Sequence, residues 1–148
     1  MIVLHQVGSD FIPFHKLQQW LTYSLIDCIE TYFPQLRFVD KQDMTCLVEY
    51  RNGGLFIDAG VLTFREHVAK TIESKSYDAG SELVIEWRAM TVVLADILAE
   101  RLRKKAGKPD LSLASVLEGG TWRAGRELAF KIRDGRPPVK LLRDGTVF

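Results

Sequence analysis

The sequence predicts a mainly α fold, a helical bundle-like domain with a small β-hairpin or irregular β element. Two observations carry this. Apolar residues recur at helical spacing through most of the chain, and only Thr45 to Asp58 gathers β-favouring residues around a turn-forming Asn52-Gly53-Gly54. The 148 residues suit one domain spanning the whole chain, 1–148.

The first helix is expected from Phe14 to Phe33, since Leu17, Leu21, Leu25, Cys28 and Tyr32 share a face, Pro13 suits a helix start and Pro34 a stop. The hairpin or irregular loop of Thr45 to Asp58 follows. A shorter helix rests on Leu62, Val68 and Ile72, between about Val61 and Lys75. The strongest pattern is Ser81 to Lys105, with Leu83, Trp87, Met90, Leu94, Ile97 and Leu98 in one stripe, Ser81 as cap and Gly107 with Pro109 as terminator. Leu113 to Leu117 reads as a turn or short helix. Thr121 to Arg133 reads as a helix with Trp122, Leu128, Ala129 and Ile132 on one side, and Pro137-Pro138 opens an extended tail.

Twenty Lys and Arg against nineteen Asp and Glu leave a formal charge of +1, which gives no electrostatic bias towards nucleic acid. The cluster Arg101, Arg103, Lys104 and Lys105 complements the end of its helix. Two cysteines and three histidines supply neither a disulfide framework nor a zinc site, and no metal or cofactor is implied. No apolar run approaches the roughly 18 residues that span a membrane, and no signal core opens the chain. The expected location is cytoplasmic. No Ser-His-Asp arrangement or phosphate-binding loop with its lysine is present.

Chemistry concentrates in Glu49 to Asp58. Adjacent glycines permit positive φ and close approach to a ligand, so Arg51 and Asn52 become candidate substrate contacts and Asp58, behind Leu55-Phe56-Ile57, a candidate catalytic carboxylate. The alternative is a plain hairpin turn with Asp58 as a helix cap. Glu86 falls on the shoulder of the apolar stripe, with Arg88, Asp96 and Glu100 opposite, so it is expected to be partly buried, as a structural acceptor or an active-site group. Lys16, Gln19 and Tyr23 share one helix face, a candidate substrate wall or a solvated face. Gly119, Gly120 and Thr121, with Arg123 just beyond, form a glycine-rich helix entry that offers N–H groups to a sugar phosphate, or serves tight helix packing.

Five ordered stretches carry a resemblance across nearly the whole chain: His15 to Leu25; Glu49 to Asp58 with Gly60-Val61-Leu62; Glu82 to Ala89; Val116 to Trp122; and Asp144 to Phe148. Together they resemble the uracil-catabolism (URC four/Urg three) family of fungi and bacteria, specifically the C-terminal portion of its longer members. Phe14 to Gln19, the Asp58 segment and Ile85 to Ala89 are also similar to the queuosine-salvage N-glycosidase family, with Ala59, Gly60 and Leu17 departing from its pattern. That similarity implies a role for Asp58 at a scissile N-glycosidic bond, with Glu86 as its partner. The resemblances imply a hydrolase of pyrimidine degradation acting on a ribosylurea or related ribosyl (phosphate) intermediate, with a small-molecule ribosyl substrate as its partner. The other reading is a noncatalytic binding or assembly module, an incomplete form of the longer protein. A homodimer, or association with a missing N-terminal region, is expected on either reading.

Overall fold

The computed structural model describes residues 4–7, 10–13 and 15–142. Phe14 and the Asp144 to Phe148 stretch lie outside them. Leu4–Val7 (β1) and Asp10–Pro13 (β2) pair antiparallel, Leu4 opposite Pro13 and Val7 opposite Asp10. The helices are Lys16–Tyr32 (α1), Tyr50–Asp58 (α2), Glu66–Ala69 (α3), Glu82–Ala106 (α4) and Leu113–Ser115 (α5). A π-helical stretch, Val116–Trp122, then joins α5 to Arg123–Arg133 (α6). The fold is mainly helical, and no helix among the described residues is long and apolar enough to cross a membrane.

Helix α2 is the hub, packed against α4, α6 and the π-helical stretch. The extended run before it divides the core. Cys46 and Leu47 join Tyr23, Phe56, Ala95, Ala99 and Leu117 in one cluster, while Val48 joins Ile72, Val84, Trp87 and Val139 in another. Glycines let the hub sit close. A Cβ on Gly53 would meet Thr91 Oγ1 and, at 2.7 Å, Trp87 Nε1, and one on Gly125 would run into the Arg51 carbonyl oxygen. The chain returns to this core at its far end: Val139 is fully buried, and Leu141 bridges in parallel to Tyr77.

Several expectations are corrected. Thr45 to Asp58 holds no hairpin, because Glu49 caps a helix that begins at Tyr50 and the two glycines serve close packing within that helix. The small β element expected there is therefore absent from Thr45 to Asp58. The shorter helix contracts to Glu66–Ala69, with turns beyond it. Ser81 stands at the cap position of α4, but its hydroxyl donates to the Asp78 carbonyl and accepts no N–H from the helix. Gly107 ends α4 in the left-handed region at φ 62° as expected.

The face of α4 is rotated by one residue, about 100°. It buries Val84, Trp87, Arg88, Thr91, Ala95 and Ala99, whereas Met90 and Ile97 are exposed. The cause is the closeness of α2: only small or flat side chains fit opposite Gly53. Arg88, expected outside, is 1% exposed, and burial lowers its pKa to about 10. Glu86, expected to be partly buried, has a side chain 51% exposed. On α1 the expected core stripe faces outward, and the buried residues are Tyr23 and Ile26. Along α6, Gly125 and Ala129 are buried while Ile132 is exposed.

Candidate functional site

Three elements wall a cavity of about 390 Å³: α1 with Lys16, Leu17 and Trp20; the start of α2 with Leu47, Glu49, Tyr50 and Asn52; and the π-helical stretch with Leu117, Glu118 and Trp122. Its chemistry centres on Glu49. The backbone there is extended (φ −131°, ψ 132°), so the side chain folds back over the first turn of α2. Its Oε2 accepts from the N–H groups of Arg51 at 2.7 Å and Asn52 at 3.2 Å. Glu49 is only 9% exposed, and burial pushes its carboxyl above the ordinary range. The Lys16 charge, the two capping N–H groups and the Arg51 charge pull the other way and fall short.

Asn52 is buried beside it, and its Oδ1 accepts from the Thr121 hydroxyl at 2.9 Å. That bond reaches from α2 into the π-helical stretch. A π-helical turn carries an extra residue relative to α-helix and widens the backbone, and here it accompanies the inward placement of Leu117 and Thr121 with Trp122 at the rim. Trp20 and Trp122 are each 37% exposed, flat apolar surfaces left accessible at the cavity. A buried carboxyl, an ammonium, an amide and indole walls together can bind a polar planar group and hold a proton near it.

Of the sequence candidates, Lys16 and Asn52 line this cavity, and Thr121 stands directly behind Asn52. Gln19 and Tyr23 act at one remove. The Gln19 amide donates to Thr45 Oγ1 at 3.2 Å, and the Tyr23 hydroxyl donates to the Thr45 carbonyl, which ties α1 to the run leading into Glu49. Burial, then the nearness of Cys46 and Asp96, raises the Tyr23 pKa and keeps the phenol protonated. Arg51 points elsewhere: its guanidinium donates to the Gly135 carbonyl at 2.7 Å and lies 4.6 Å from the Tyr50 ring centre.

Gly119 and Gly120 fall inside the π-helical stretch, so the expected helix N-terminus with free N–H groups is not there. Arg123 pairs with Glu127 at the surface, at 2.9 Å. Asp58 and Glu86 are each engaged by an arginine. The Asp58 side chain, 1% exposed, meets Arg133 at 2.6 Å, and Glu86 meets Arg65 at 2.9 Å. Glu86 lines a second cavity of about 300 Å³ with Ile57, Leu62, Phe64 and Trp87, and Asp58 is not among that cavity's lining residues. Sequence reasoning missed Glu49, Trp20 and Trp122. The available signal was a carboxylate one residue ahead of a helix start, which is visible only once Tyr50 to Asp58 is read as helix.

The family described as Protein of unknown function (DUF1688) matches residues 3–148. Among curated proteins, Protein urg3 of Schizosaccharomyces pombe is 46% identical over 142 residues, covering 92% of this chain and 34% of that protein. Uracil catabolism protein 4 of Lachancea kluyveri is 41% identical over 160 aligned positions, covering 95% of this chain and 36% of that protein. The chain therefore spans about a third of the length of these relatives. No solved structure matches.

Proposed function

This chain belongs to the DUF1688 family, and from its likeness to Protein urg3 and Uracil catabolism protein 4 we propose that it serves uracil catabolism, its Glu49 cavity taking a ribosylurea or related ribosyl intermediate for N-glycosidic cleavage. One observation carries the reaction type: a carboxyl with a raised pKa, buried beside an ammonium and between indole walls. Such a carboxyl is suited to general acid catalysis. In this reading, as the bond from the anomeric carbon to nitrogen breaks, Glu49 gives its proton to the departing nitrogen. Water adds to the oxocarbenium-like carbon and returns a proton to Glu49. Lys16 and Asn52 orient the substrate's oxygens, while Trp20 and Trp122 hold its planar part. Asp58 and Glu86 take scaffold roles, since each is neutralised by an arginine.

A second reading, a noncatalytic binding module, draws support from those same two ion pairs and from the relatives' greater length. One assay separates the readings. An N-ribosylurea is added to this chain and, in parallel, to the intact fission-yeast relative, with tryptophan fluorescence reporting binding and released ribose reporting cleavage. The hydrolase reading expects turnover that Glu49→Gln lowers by about 100-fold or more while binding persists. Binding without ribose release from either protein gives the site to a binding module, and absence of both removes this substrate class.

A further inference from the structure

Among the described residues, an unpartnered apolar face runs along α1. Leu17, Leu21, Leu25 and Tyr32 share it and are 41%, 58%, 49% and 79% exposed, and the free thiol of Cys28 lies in the same row. Phe33 and Leu36 extend the face past the helix end. The loop beyond them is pinned rather than loose, because Glu30 accepts from the Phe38 N–H at 2.9 Å and holds Lys41 at 2.7 Å. Contiguous exposed apolar surface of this kind marks an interaction site, and a row at helical spacing suits a packed helix or sheet face.

The relatives indicate the occupant. This chain corresponds to 34% and 36% of their lengths, so about two-thirds of each relative lies outside the matched region and must lie against this segment if the whole folds together. The face also runs into the site, since Leu17 belongs to both the exposed row and the cavity wall, with Trp20 next to it. We propose that α1 docks the part of the longer family protein outside the matched region, and that this docking roofs the Glu49 cavity. The proposal rests on family membership and geometry, and is independent of the reaction suggested above.

The test is to co-express this chain, tagged, with the untagged remainder of the fission-yeast Protein urg3 and to weigh the purified product by light scattering. A one-to-one complex is expected, with Cys28 shielded from a thiol reagent. Leu21→Glu or Leu25→Glu should weaken it by about tenfold or more while leaving the circular dichroism of the chain unchanged. A remainder that is soluble yet unbound, or insoluble even with the chain present, overturns the proposal. So does a homodimer that Leu21→Glu dissociates, which gives the face to a second copy.

Discussion

Glu49 performs two tasks that oppose each other. As a cap its carboxylate is favoured by two N–H donors, yet its burial disfavours the same charge, and burial prevails. With a folded-state pKa above the unfolded one, the folded chain holds the extra proton between the two values. Stability is therefore expected to fall as pH rises from the ordinary 4.5 through the raised value. Glu49→Gln has no proton to lose, so its melting temperature relative to the parent chain should climb as pH rises above the ordinary 4.5; a flat difference contradicts the raised pKa. The glycines separate just as sharply. Gly53→Ala collides with Thr91 and Trp87 and should cost about 1–3 kcal/mol. Gly119→Ala has open space around it and should gain about 0.5–1 kcal/mol in urea unfolding.

Helix α2 is fixed at both ends by charge. Its first turn is capped by Glu49, and its last residue, Asp58, places a carboxylate where the helix's own carbonyls already gather negative charge. Arg133, in the last turn of α6, resolves that conflict and ties the two helices together. Arg133→Met leaves a buried charge without its counterion and should cost about 3–5 kcal/mol, with part recovered in the Asp58→Asn, Arg133→Met double variant. Chemical denaturation of the three variants measures this. If Asp58→Asn alone is as stable as the parent chain, the ion pair is not a scaffold element.

At the scale of the molecule, the mainly helical class, both ends of α4 to within a residue and the end of α6 at Arg133 were legible because periodicity and terminators report them directly. The faces were less so. Counting large apolar residues selects Met90 and Ile97, whereas the α4 surface that meets α2 is built from Thr91, Ala95 and Ala99, whose value is their smallness. Asn-Gly-Gly looks like a turn until Glu49 is recognised as a cap, and that error hid the carboxyl at the centre of the cavity. Lys16 and Asn52 were legible through their motifs, but the cavity is closed by Trp122 from far along the chain, through a π-helical stretch that no local pattern announces. That stretch can also be viewed as an insertion frozen into a helix. Removing one codon, Gly119 or Gly120, should convert it to ordinary α-helix, and far-ultraviolet dichroism should show helicity preserved. With α6 held by Gly125 against Arg51, the rotation of about 100° falls on the upstream side. There it turns Leu117 off the cavity and separates Ser112 from Asp27, bonded at 3.1 Å in the intact chain. A reading-frame-preserving deletion would thus spare the helix and erase the site.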